Sequence, residues 1–333
     1  MDTIHLLVKH LAACKQRTIM ATIVDVKGSA YRKEGTSILI QEDGSEVGVL
    51  SAGCLEPDIS ARFNDVWENG ARMYEYDMRE ADAFTWGINN SGCNGILTVL
   101  VEPVTEQLYN DLMKVKQCLA LGREVWITKK IHENRVLASY QPEDGDSFGN
   151  WNKGLPERTS NKSQMVHSVF FHRYVPRQHL YVFGANVDAR PLVQFAVNVG
   201  FQVTVYDWRP RLCTKEHFPE ETKFITGFPS EILPTLTFNK TDSVILMTHH
   251  FQYDQEILSC LLDIELRYIG VLGSQKRTKR LLGTDVVPAA ITSPIGLEIQ
   301  AESPEEIAIS VVSELIAISK KVEKETYDSS ILL

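Results

Sequence analysis

Two cysteines stand in turns where a thiol could react. Cys54 lies between Gly53 and a helix start, with Glu56 two residues on, and Cys93 lies in the run Ser91-Gly92-Cys93-Asn94-Gly95. The positive end of a helix lowers a thiol pKa, and a thiolate is a soft ligand for a transition metal or a carrier of transferable sulfur. Cys54 and Cys93 are therefore the candidate metal ligands. The competing reading of each is a small thiol that closes a tight turn. Cys14, Cys118, Cys213 and Cys260 lack such turns and read as packing residues. No Cys-x-x-Cys spacing occurs, which disfavours a structural zinc site.

A second group of candidates sits in the later half of the chain. His249, His250 and Asp254 follow the apolar run Ser243–Met247. Imidazole and carboxylate there could coordinate a metal or move a proton, and Asp254 could instead cap the next helix. Adjacent histidines point in different directions, so one of them is expected at a site, and His250 is the choice. Gly273-Ser274-Gln275-Lys276-Arg277 places a glycine turn and a helix start beside Lys276, Arg277, Lys279 and Arg280. That is a phosphate cradle, or else a solvated basic face. Arg32 with Lys33, and Arg209 with Arg211, offer further anion contacts. Glu305 and Glu306, after Ser303-Pro304, read as first-turn charges that complement a helix dipole.

These residues need elements to hold them. From Leu180 the chain alternates strand and helix. Strands are expected at Leu180–Gly184, Gln202–Tyr206, Lys223–Ile225, Ser243–Met247 and Tyr268–Val271, and helices at Pro191–Val199, Gln255–Leu262, Lys276–Leu282 and Pro304–Lys321. Such alternation means parallel strands in a Rossmann-like, doubly wound sheet. The turn Gly184-Ala185-Asn186 after the first strand has the form of a dinucleotide-binding βα turn. Asp207, 23 residues beyond Gly184, stands where an acid would hold a ribose hydroxyl. The second and third glycines of that fingerprint are Asn186 and Ala189, and the loss of the second weighs against a pyrophosphate.

Upstream, helical spacing over Ile4–Leu11, Leu55–Trp67 and Leu108–Leu119 mixes with strands at Ile19–Val26, Ile96–Val101, Val125–Ile131 and Val136–Tyr140. A hairpin is expected around Asp43-Gly44. This is an α/β domain with a mixed, partly antiparallel sheet. The expected division is residues 1–140 for that domain, a polar linker or long loop at 141–164, and the Rossmann-like domain at 165–333.

Composition bounds the possibilities. The 333 residues carry 34 Lys+Arg against 43 Asp+Glu, a formal net charge of −9, with 44% hydrophobic and 23% charged residues. Disorder and general nucleic-acid affinity are disfavoured. No apolar run approaches the ~20 residues that span a bilayer. The start Met1-Asp2-Thr3-Ile4-His5 lacks the features of a secretory signal, and six cysteines are too few for a disulfide scaffold of this size. A cytoplasmic protein with neither membrane nor nucleic-acid partners is expected.

Several motifs then converge. Gly28-Ser29-Ala30-Tyr31-Arg32-Lys33-Glu34-Gly35, Ser51-Ala52-Gly53-Cys54-Leu55-Glu56 and Ser91-Gly92-Cys93-Asn94-Gly95 occur in the first half. Thr248–Asp254, Tyr268–Ser274, Ser293–Glu298 and Ser303–Ala308 follow in the second. In this order they resemble the XdhC/CoxI family, accessory proteins of molybdenum-containing xanthine dehydrogenases and related hydroxylases. The sequence departs from that pattern at Ala52, Asn94 and Gln300, where glycines are usual. The resemblance implies a protein that binds molybdenum cofactor (molybdopterin with its metal), works with a cysteine desulfurase to exchange an oxo for a sulfido ligand, and delivers the product to apo-xanthine dehydrogenase. It also implies a homodimer and a place in purine catabolism.

Cofactor contacts are expected from Cys54, Glu56, Cys93, Gly184, Asn186, Asp207, Arg209, His250, Gly273, Ser274, Lys276 and Arg277. The expected site lies where the thiol turns of the first domain face the carboxyl ends of the second sheet. The rival reading is an NAD(P)-dependent oxidoreductase using the Rossmann-like half, with no assigned catalytic residue in either reading. A scaffold that only docks the enzyme and the desulfurase is the third.

Overall fold

The computed structural model describes residues 4–51, 53–79 and 94–329, the side chains of Asn94 and of 322–329 excepted. The chain divides between Pro176 and Arg177 into two compact units. The first opens with α1 (Ile4–Ala13), β1 (Thr18–Ser29), β2 (Ser37–Gln41), β3 (Glu46–Gly48), α2 (Glu56–Ala61), α3 (Phe63–Asn69), β4 (Arg72–Asp77) and β5 (Asn94–Pro103). Strand order is β3-β2-β1-β5-β4, antiparallel at each pairing. The β-branched start of β1 is buried on both faces, which suits the central strand. The expected hairpin forms at Asp43-Gly44, where Gly44 has φ 82° and Asp43 Oδ1 accepts the Ser45 N–H at 2.9 Å.

Next come α4 (Glu106–Ala120), β6 (Val125–His132), β7 (Arg135–Pro142), β8 (Phe148–Gly149), β9 (Gln164–Val166) and β10 (Val169–Tyr174). They form a second antiparallel sheet, ordered β8-β7-β6-β10-β9. The α/β expectation for this half therefore holds, with two antiparallel sheets rather than one mixed sheet. The division expected from composition does not. Residues 141–164 run within the first unit, and 165–176 belong to it as well. The polar run is spent on backbone: Asn150 Oδ1 accepts the Ala138 N–H at 2.7 Å, Asn150 Nδ2 donates to Val136 O at 2.9 Å, and Trp151 N–H donates to Ala138 O at 2.9 Å. Side-chain amides complete a sheet edge here that would otherwise need water.

The second unit is a six-stranded parallel sheet with order β13-β12-β11-β14-β15-β16. Its strands are β11 (His179–Phe183), β12 (Gln202–Asp207), β13 (Lys223–Thr226), β14 (Ser243–Leu246), β15 (Tyr268–Val271) and β16 (Ile291–Thr292). Helices α5 (Ala189–Asn198), α6 (Pro229–Ile232), α7 (Phe251–Leu261), α8 (Gln275–Leu282) and α9 (Pro304–Ser329) complete it. Alternate residues of the strands feed two cores. Leu180, Val182, Val203 and Val205 pack with α5 and α9, while Tyr181, Phe183, Val244 and Leu246 pack with α7. Strand order reverses between β11 and β14, and ligands of such sheets bind beyond the carboxyl ends at that point.

Candidate functional site

Asp207 closes β12 and is fully buried. Its Oδ2 accepts the Ala185 N–H at 2.8 Å and Arg209 Nη2 at 2.8 Å; its Oδ1 accepts the Arg209 N–H at 2.9 Å and Arg209 Nε at 2.8 Å. A carboxylate offers about four acceptor sites, and all four are taken. Burial works against the charge, but Arg209 and the Ala185 amide hold the carboxyl below its ordinary pKa. Arg209 Nη2 also donates to Asn186 Oδ1 at 2.8 Å, and Asn186 Nδ2 donates to Met247 O at 2.9 Å. Asp207, Arg209, Asn186 and the Gly184 turn are thus brought together, as expected, but as a closed network. Gly184 has φ 122°, and a Cβ there would overlap the Met247 backbone.

A second corner joins β14, α7 and α8. Asp254 is 1% exposed; its Oδ1 accepts the Thr248 hydroxyl at 2.6 Å and its Oδ2 accepts Arg277 Nη2 at 2.6 Å. Arg277 is therefore the counter-ion of a buried acid while it also lines the pocket beside it. His250 is the residue that caps α7, its Nδ1 accepting the Tyr253 N–H at 3.4 Å, so the capping role weighed for Asp254 falls to its neighbour. The exposed histidine is His249, held at φ 59° with Nε2 3.1 Å from Asp188 Oδ2. A pocket of about 120 Å³ opens here, walled by Met247, His249, Asp254, Leu272, Gly273 and Arg277. His249, not His250, faces it. Ser274 caps α8, accepting the Arg277 N–H at 3.4 Å, and Lys276 is exposed in the first turn.

In the first unit, Glu56 is 5% exposed and ties down the Cys54 turn. It accepts the N–H groups of Leu50 at 3.1 Å, Ser51 at 2.8 Å and Leu55 at 3.2 Å, together with the Ser51 hydroxyl. Burial opposes its charge, yet the Ser51 hydroxyl and these amides keep its pKa low. Glu56 is thus a fold-building acid. Cys54 is half-buried, its N–H donating to Ser51 Oγ at 2.9 Å. Cys93 lies outside the described residues. Among the described residues no group of three or more His, Cys, Asp or Glu is placed to hold a metal ion. Burial, with Asp207 nearby, pushes the Cys213 thiol up to about 11, which fits a packing role.

Thr248, Asp188, Trp208 and Tyr253 were not singled out from sequence. Only Thr248 had a signal, since a hydroxyl at a strand end beside a buried acid satisfies that acid.

Residues 11–77 match the XdhC and CoxI family, 180–315 the XdhC Rossmann domain, and 106–175 the BH1974-like central domain. The chain is 40% identical over 332 residues to a probable xanthine dehydrogenase subunit of Bacillus subtilis, spanning 97% of this chain and 99% of that protein. The chain belongs to the XdhC and CoxI family. A crystal structure of a xanthine dehydrogenase from Bacillus halodurans shares the fold at a TM-score of 0.87 and 43% identity over 96% of both chains. The molybdenum cofactor insertion chaperone PaoD of Escherichia coli is 20% identical over 315 residues, 92% of this chain and 85% of that one. The central-domain match coincides with α4 and the second antiparallel sheet. Gln300 takes φ 57°, the region in which glycine is the usual occupant.

Proposed function

We propose that this XdhC-family protein binds molybdenum cofactor as cargo, supports its sulfuration together with a cysteine desulfurase, and delivers it to apo-xanthine dehydrogenase. Family membership supports the accessory role, as does the kinship with an insertion chaperone. The observation that carries the reading is the saturation of Asp207. With four hydrogen bonds already made, the acid at the end of β12 has no lone pair for a ribose, which disfavours the NAD(P)-dependent alternative.

The α8 corner fits a phosphate. Arg277 offsets the Asp254 charge, so the start of α8 with the exposed Lys276 in its first turn is left to attract an anion. The pocket of about 120 Å³ compares with about 30 Å³ per liquid water. Cys54 and Cys93 are assigned to the metal or sulfur end. No helix among the described residues is long and apolar enough to cross a membrane. We take the protein to act in the cytoplasm as a homodimer, the commonest closed assembly; a monomer by light scattering defeats the second point.

Anaerobic purification followed by pterin fluorescence and molybdenum analysis is the direct test, with retained pterin and metal as the expected result. Calorimetry with NAD is expected to give no measurable heat. Micromolar NAD binding, lost on Asp207→Ala, reverses the assignment.

A further inference from the structure

Aromatic side chains from three strand ends converge beside the β12 corner. Trp208 follows β12, Phe228 follows β13, and His250 and Tyr253 open α7 after β14. Tyr253 is the hub. Its ring centroid lies 4.7 Å from Trp208 at 68°, 6.2 Å from Phe228 at 61°, and 3.9 Å from His250 at 25°. Phe228 is nevertheless 48% exposed. Its backbone is held, because its N–H donates to Glu231 Oε2 at 3.0 Å and the Tyr206 hydroxyl donates to Gly227 O at 2.5 Å. An aromatic ring left in water forgoes hydrophobic stabilisation, and its open face suits another flat ring.

Carboxylates border the same patch. Glu231 sits at the Phe228 backbone, and burial, then Asp207, Glu256, Tyr253 and Glu231, raise the pKa of the Tyr206 hydroxyl. Tyr253 and Glu256 share a face of α7 at i, i+3. A pyrimidine edge with an amino group beside a ring N–H presents two parallel donors, the arrangement a carboxylate accepts bidentately. The adenine edge sets an acceptor nitrogen there instead.

We infer that the open face of Phe228, with Tyr253 edge-on beside it, is a stacking platform for a bicyclic 2-amino-4-oxo heteroaromatic ring, with the Glu231 carboxylate reading its amino edge. The inference rests on the cofactor reading above and assigns that ligand's ring end; pterin and guanine share the edge. The first turn of α7 links the two subsites, since Tyr253 faces the aromatics and the next residue, Asp254, holds Arg277.

The test titrates the full chain with 6-hydroxymethylpterin, guanosine and adenosine, none of which carries a phosphate. The pterin is expected to bind, with adenosine at least about tenfold weaker. Phe228→Leu keeps the apolar bulk and is expected to lose about tenfold in pterin affinity. Glu231→Gln keeps an acceptor for the Phe228 N–H and is expected to lose the preference over adenosine. Unchanged pterin affinity in both variants, or adenosine bound as tightly as pterin, overturns the platform. If molybdopterin still binds the wild type in that case, the cofactor reading survives it. Guanosine bound more tightly than pterin supports the platform while assigning it to a nucleotide, which defeats the cofactor reading alone.

Discussion

Asp207 closes β12 and Asp254 lies in the first turn of α7; both are buried carboxylates, and each is matched by an arginine from a following loop or helix. The two pairs differ in what their loss would leave. Arg277→Ala leaves Asp254, 1% exposed, with the Thr248 hydroxyl as its remaining side-chain donor. A buried acceptor deprived of a charged donor costs roughly 1–3 kcal/mol. Urea unfolding is expected to show a loss of that size for Arg277→Ala and a smaller one for Arg277→Lys, which restores charge without the guanidinium fork. A variant as stable as the wild type would show that the Arg277–Asp254 pair contributes nothing to stability. Both acids were visible in the sequence, Asp207 at the end of a strand and Asp254 at the start of the following helix. The saturation of Asp207 was not, because whether Arg209 folds back onto a residue two positions earlier depends on loop dihedrals that no residue pattern specifies.

At the level of elements, periodicity and turn chemistry were legible where they are locally determined. The Asp43-Gly44 hairpin, the parallel strands of the second unit and the helices between them lie close to their expected places. What escaped was decided by tertiary pairing. The run 141–164 looked solvated because its amides are polar, yet Asn150 spends its side chain on the β7 backbone. β4 was missed because its residues alternate half-buried and exposed, with no apolar face to announce a strand. Leu55–Trp67 read as one helix, but the backbone breaks at Arg62.

The first unit also contains a pH-sensitive contact. His172 on β10 packs over Gly35, which has φ 89° and where a Cβ would overlap the imidazole. Burial, then Lys129 and Arg173, depress its pKa from 6.5 to about 3. The unfolded chain thus binds the extra proton first. The contribution is complete above pH 6.5 and lost as pH falls from there towards 3. Stabilities from urea unfolding between about pH 7.5 and about pH 5 should fall by up to roughly 1.4 kcal/mol per pH unit below the unfolded pKa. His172→Gln should flatten that limb. An unchanged pH dependence in the variant would place the titrating group elsewhere.

For the whole molecule, the two units bring unlike chemistry to one chain. The first carries the Cys54 thiol on a turn of an antiparallel framework; the second carries a helix start, an ion-paired acid and an aromatic patch at the end of a parallel sheet. With a net charge of −9, an anionic cargo is repelled by the protein at large, and local cations must supply the attraction. Division of labour follows from this and can be measured. Lys276→Glu puts a negative charge in the first turn of α8 and should weaken molybdopterin binding about tenfold, more so at low salt. Cys54→Ser and Cys93→Ser are close in size to the native residues and remove only the soft sulfur. They should leave molybdopterin affinity within about a factor of two, under half a kcal/mol, while abolishing sulfur-dependent activation of apo-xanthine dehydrogenase. The Ser51 hydroxyl that receives the Cys54 N–H is untouched, so the turn should persist. If the double cysteine variant activates the apo-enzyme as well as the wild type does, the thiols have no part in sulfur transfer, and the first unit acts through something other than its cysteines.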